Sequence, residues 1–197
     1  PRVVARHFFP IDAFFLYYPM ADHSWRPVPN PLDSLGNHLV RASYIPDGRD
    51  TIFFSRQSKG VHNIYRTSRE NGLWSQPALL NEALTSVSDD IFPLLSRDGR
   101  RLYFSSSGLY GVGGYDLYVS EWNEARQDWD EAVNLGFPCS SPADDFLYMD
   151  TPDGKYTIFA SNRECGRDSV CVYVLEFDNM PVRRQASGPE SLRELLS

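Results

Sequence analysis

Apolar residues in this chain come in short bursts with the rhythm of strands. TIFFS (51–55), RLYFS (101–105), DLYVS (116–120) and CVYVL (171–175) are rich in aromatic and β-branched residues, and turn residues bound each run. Such runs read as β-strands. Asp-Gly occurs at 47–48, 98–99 and 153–154, so successive copies lie 51 and 55 residues apart. An apolar run precedes each copy: VRASYI (40–45), IFPLLS (91–96) and FLYMD (146–150). A second run follows it: TIFFS, RLYFS and YTIFAS (156–161). After a loop comes a third, NIYRT (63–67), DLYVS or CVYVL, and a Trp-led stretch with a short apolar run such as PALL or EAVNL follows the first two.

The repeated Asp-Gly has a mechanism, because a tight hairpin turn needs residues that tolerate positive φ to match strand twist. One unit is therefore a strand, an Asp-Gly turn, a strand, a loop, a strand, a Trp-led loop and a short strand. Four antiparallel strands in a little over fifty residues is the size of a β-propeller blade. A β-sandwich is the alternative, but it does not explain why the same turn returns three times. The expected fold is all-β, a propeller of four-stranded antiparallel blades. Three blades are expected over 20–180, the tail of a preceding blade over 1–19, and a C-terminal tail or short helix over 181–197.

Asp12 precedes Trp25 by 13 residues, as Asp116 precedes Trp129, which predicts a third strand over 12–18. An open array would leave strand edges bare, so the chain is expected to be a segment of a longer protein or to close its ring with a second chain. Near the end, Pro189 at a first helical position and Leu192, Leu195 and Leu196 at helical spacing predict a short helix.

The segment Gly111-Val112-Gly113-Gly114 has the composition of a phosphate-cradling loop. Such a loop needs a helix N-terminus behind it. Here a strand precedes and a strand follows, with no Gly-Lys-Ser/Thr. The segment reads as a hairpin loop whose glycines supply positive φ.

Composition narrows the function. The net charge is −7, and 17 of the 19 basic residues are arginines scattered along the chain, Lys59 and Lys155 being the exceptions. Without a basic run, nucleic acid is not an expected partner. No stretch has the length of a membrane span. The three cysteines, Cys139, Cys165 and Cys171, match no zinc spacing. Cys165 and Cys171 flank a short loop between strands, so a local disulfide and free thiols are both open readings.

The residues D-G-x-x-L-Y-F-S-S followed by G-G-Y-D-L-Y-V-S, together with the spacing from Trp129 to Gly136, resemble the TolB-type, WD-repeat-like propeller repeat. The paired aspartates before the first strand are similar to the version found in envelope proteins of Bacteroidetes-like bacteria. The resemblance covers roughly residues 12–177. It implies a binding or scaffolding propeller in the periplasm or at the outer-membrane surface of a Gram-negative bacterium, with a protein or glycan partner. The first unit departs from the pattern, with Asn37-His38 in place of Asp-Asp, and the third has Cys171 where the second has Asp116.

If the strand before Asp-Gly is innermost, Asn37-His38, Asp89-Asp90 and Asp144-Asp145 crowd one mouth of the propeller. The loops carrying His62 and Tyr110 rise on the same face. Four carboxylates there focus a negative potential, which points to a cationic or sugar ligand, or to Ca²⁺ held by Asp89 and Asp144. The competing reading is that each Asp caps a turn or bonds a neighbouring blade's backbone. Asp90 and Asp145 are also the candidate acid pair of a glycoside hydrolase. Of the histidines at 7, 23, 38 and 62, none lies in a nucleophile-elbow context; His38 and His62 are expected to be exposed in loops. Tyr110 is suited to stacking on a sugar or gripping a peptide, or to covering its own hairpin.

Overall fold

The computed structural model describes residues 1–18, 25–27, 42–44, 50–166 and 168–177, with backbone alone at 25–27 and 42–44. His38, the first Asp-Gly at 47–48 and the expected helix near the C-terminus lie outside these residues. The described chain is all-β, with sheets that curl into a half-barrel. Its strands are β1 (Arg2–Pro10), β2 (Trp25–Pro27), β3 (Ala42–Tyr44), β4 (Thr51–Ser58), β5 (Val61–Glu70), β6 (Leu73–Trp74), β7 (Ala78–Leu79) and β8 (Asp90–Leu95). They continue with β9 (Arg101–Ser106), β10 (Asp116–Asn123), β11 (Asp128–Trp129), β12 (Val133–Asn134), β13 (Asp145–Asp150), β14 (Tyr156–Ser161) and β15 (Ser169–Glu176).

The repeat emerges as separate antiparallel sheets. Unit 1 is β4–β5, with β6 and β7 both pairing with β5. Unit 2 is β8–β9–β10, with β11 and β12 both pairing with β10. Unit 3 is β13–β14–β15 with β1 on its outer edge. β2 pairs with β3. The two described Asp-Gly turns are built alike. Gly99 and Gly154 take φ of 74° and 67°, the left-handed region glycine occupies without penalty. Asp98 accepts from the Ser96 hydroxyl at 2.5 Å and from the Arg100 N–H at 3.0 Å. Asp153 repeats both bonds with Thr151 and Lys155, at 2.5 and 3.1 Å.

The N-terminal segment departs from expectation. Residues 2–10 run antiparallel to 169–176 and cover an edge that would otherwise expose unpaired backbone. Ion pairs from Arg2 to Glu176 and from Arg6 to Glu164 fasten this strand. Residues 12–18 form no third strand of a blade; Phe14–Tyr17 make one turn of 3-10 helix. The reason is packing. Phe14, Phe15 and Tyr18 are buried in one cluster with Phe92, Phe146 and Leu147 from the first strands of units 2 and 3.

Those first strands are bent to meet them. β8 slips register between Ile91 and Leu94, and β13 between Phe146 and Met149. At the two slips Phe92 and Leu147 take φ of 52° and 48°, a costly conformation for bulky side chains. Phe92 then stands 5.6 Å from Phe14 and 6.1 Å from Phe146, ring centre to ring centre. Between units 1 and 2 the core is carried by Phe53, Ile64, Phe104 and Tyr118, with Trp129 edge-on to Phe53 at 5.8 Å. Between units 2 and 3 Tyr103 lies tilted against Tyr148, ring centres 4.6 Å apart, and donates to Asp150 at 3.1 Å.

Candidate functional site

The paired aspartates stand where β8 and β13 begin. A strand sends successive side chains to opposite faces, so the second Asp of each pair turns inward and the first turns sideways. Asp90 and Asp145 are both 0 % exposed. Asp90 Oδ2 accepts from the Ser86 N–H at 2.8 Å and from the Asn63 amide at 3.0 Å. Asp145 Oδ2 accepts from the Ser141 N–H at 2.6 Å and its hydroxyl at 2.9 Å, while Oδ1 accepts from Arg163 Nη2 at 2.6 Å. In both, burial outweighs the hydrogen bonds and pushes the carboxyl above its ordinary range.

The first Asp of each pair reaches back to the unit before it. Asp89 Oδ1 accepts from the His62 N–H at 2.7 Å, and Asp144 Oδ1 accepts from the Tyr115 N–H at 3.1 Å. His62 and Tyr115 occupy matching places in units 1 and 2, at the head of the third strand. Tyr115 also donates its hydroxyl to Asp89 Oδ2 at 3.1 Å, and Asn162 donates to Asp144 Oδ2 at 2.8 Å. A single polar chain, His62–Asp89–Tyr115–Asp144–Asn162, thus crosses all three units. Burial raises the Asp89 carboxyl, but the bonds from His62 and Tyr115 together outweigh it and hold the group below its ordinary range.

His62 differs from its expected setting. It lies inside β5, is 7 % exposed, and faces Asp89 Oδ1 with Nδ1 at 3.2 Å. The sequence sign was there, since the strand NIYRT extends back through Val61 once the hairpin is only two residues long.

The glycine loop is a hairpin connection between β9 and β10, as expected, but its glycines serve another purpose. The residues at 108, 111, 113 and 114 do not occupy the left-handed region. A Cβ on Gly113 would collide with the carbonyls of Ser141 and Ala143, one on Gly114 with the Asp144 carboxylate, and one on Gly108 with Ser86 and Ser88. They are glycines so that neighbouring loops can touch. Asp116, which sequence reasoning passed over as a site residue, shapes this loop by accepting from the N–H groups of Val112 and Gly113 at 2.7 and 3.1 Å. Tyr110 does not cover its hairpin; its ring is 98 % exposed while its carbonyl accepts from the Tyr118 hydroxyl at 2.7 Å.

Each of the four carboxylate oxygens of Asp89 and Asp144 faces an N–H or O–H donor. Among the described residues no group of three or more His, Cys, Asp and Glu is arranged around a metal position, and no helix is long and apolar enough to cross a membrane. Asp90 and Asp145 are closed off from solvent, and each has one oxygen held by the backbone N–H four residues earlier. Cys139, Cys165 and Cys171 are free thiols. A scan against protein-family models finds no match for the chain, and a search of curated proteins finds no similar one.

Proposed function

We propose that the three units are blades of a β-propeller and that the chain is a non-catalytic binding or scaffolding module of a bacterial cell envelope. The meeting of β1 with β15 in one sheet supports a ring, since it joins the two ends of the described chain. The TolB-type motif resemblance supports the envelope setting, with the remaining ring supplied by further blades or a second chain.

One observation carries the binding reading. Val87, Tyr110, Val112 and Phe137 are 91, 98, 66 and 88 % exposed. All four sit on the loops at the end of the units where β8, β10 and β13 begin. Side chains this apolar and this exposed, on loops held rigid from below, are the mark of an interaction surface. The acids beneath them are occupied in holding the loops, which favours binding over hydrolysis.

The test is cosedimentation with isolated peptidoglycan sacculi and with outer-membrane vesicles. The double variant Tyr110→Ser, Val112→Ser is expected to lose retention with an unchanged melting curve. Equal retention of this variant removes the loop face from the reading. Glycan hydrolysis that disappears in Asp90→Asn or Asp145→Asn replaces it with the enzyme.

A further inference from the structure

The loop that follows β14 folds back over the face of unit 3 that meets Leu117 of unit 2. The Cys165 N–H donates to the Asn162 carbonyl at 2.9 Å, which closes a turn. Residues 163–165 then each settle on that face. Arg163 lies over the rings of Phe159 and Tyr173, 5.2 and 5.4 Å from their centres. Glu164 accepts from the Tyr173 hydroxyl at 3.1 Å and pairs with Arg6 of β1. Cys165 aims its thiol at the Ser161 carbonyl, 3.9 Å away.

Cys171 comes to the same place from the sheet. It stands opposite Ser161 in the pairing of β14 with β15. The Asn162 N–H goes the other way, to Asp144 beside β13. Backbone polar groups alternate sides along a strand, so the Ser161 carbonyl faces Cys171. The Cys165 sulfur and the Cys171 backbone therefore meet at one oxygen. Their side chains share a face as well, because Cys165 packs against the cluster that holds Phe159, Cys171 and Tyr173. The groups whose charge reaches the Cys171 thiol are Cys165, Arg6 and Glu164; those that reach Cys139 are Arg163, Asp145 and Asp150. Cys139 thus faces the inner strand, and the pair is Cys165 with Cys171.

The two sulfurs differ in access. Cys171 is 0 % exposed, whereas Cys165 is half-buried and open to a reagent. We propose that Cys165 and Cys171 form a disulfide by exchange with a donor disulfide. The Cys165 thiolate attacks one donor sulfur and expels the other as a thiolate. The Cys171 thiolate then attacks the Cys165 sulfur of the mixed disulfide and expels the second donor thiolate. Two protein thiols become one S–S bond, the donor is reduced to two thiols, and the two protons pass to it. Burial raises both protein thiols above their ordinary range, so exchange quickens as pH rises. In the cell the bond rests on the envelope setting proposed above, since disulfides persist in oxidising compartments. Its effect reaches the edge strand, because the cross-link fixes the neighbour of Glu164, which holds Arg6.

The test incubates native protein with oxidised glutathione, then denatures it, blocks it with N-ethylmaleimide and digests it with trypsin. Cleavage after Arg163, Arg167 and Arg183 separates the two cysteines. The expected product is peptide 164–167 joined to peptide 168–183, with Cys139 blocked. Oxidised protein is expected to melt a few degrees above reduced protein. Cys165→Ser is expected to abolish both results, while Cys139→Ser keeps them. Three blocked cysteines overturn the pair, as does a bond that includes Cys139, or glutathione left on Cys165 beside a blocked Cys171. If Cys165→Ser fails to fold, the native peptide map decides by itself. Should the bond form in vitro while protein from its native cells is recovered fully reduced, the pair stands and the envelope setting falls.

Discussion

The two ends of units 2 and 3 use aspartate in opposite ways. At the turn end, Asp98 and Asp153 are solvent-facing and bond within their own turn, to residues two positions away. Their hydroxyl and N–H partners hold both carboxyls below the ordinary range, yet nothing beyond the turn depends on them. At the loop end, Asp89, Asp90, Asp144 and Asp145 take donors from the preceding unit or from a loop several residues back. The same side chain is local at one end and tertiary at the other. What separates the two is burial, which makes every unmatched donor or acceptor expensive.

Four substitutions put this contrast to the test. The largest effect is expected for Asp145→Ala, which leaves the 19 %-exposed Arg163 side chain without its anion; breaking such a pair costs about 3–5 kcal/mol, read by denaturant unfolding. Gly113→Ala comes next, at about 1–3 kcal/mol, because its Cβ runs into backbone carbonyls of the next loop rather than into a movable side chain. If Gly113→Ala unfolds like native protein, the close approach of the two loops is wrong.

Asp89→Asn is expected to cost about 1 kcal/mol at neutral pH and to change the acid response. The Asp89 carboxyl is held low in the folded state, so its contribution is present above the unfolded carboxyl pKa and fades as pH falls through the folded one. A stability–pH curve for Asp89→Asn should therefore lie closest to native at low pH and diverge as pH rises. Asp153→Ala should have the smallest effect, with a denaturant curve that overlays that of native protein. A loss at Asp153 as large as that at Asp145 would erase the distinction between the two ends.

Much of this was legible in the sequence because it is local. Asp-Gly and the runs around it fix hairpins within some twenty residues, and β8–β9–β10 and β13–β14–β15 follow the written pattern. β1 was not legible. Its partner lies 159 to 174 residues further on, from Pro10 opposite Ser169 to Arg2 opposite Glu176, and no turn signal links them. Residues 12–18 carried a spacing that matched Asp116 to Trp129, but three aromatic side chains gain more by entering the core beside Phe92 than by lying in an edge strand. The glycines of 111–114 were identified correctly as a hairpin and given the wrong reason, because at Gly113 and Gly114 close approach depends on a loop some thirty residues further on. The aspartates were visible as a cluster, and their use as links between units was one of two readings the sequence left open.

The most direct measurement is residue-resolved amide hydrogen exchange at His62 and Tyr115. If Asp89 and Asp144 join neighbouring units, both amides exchange as slowly as strand amides in native protein. Asp89→Ala then releases His62, and Asp144→Ala releases Tyr115. Loop-like exchange at both positions in native protein would contradict the account.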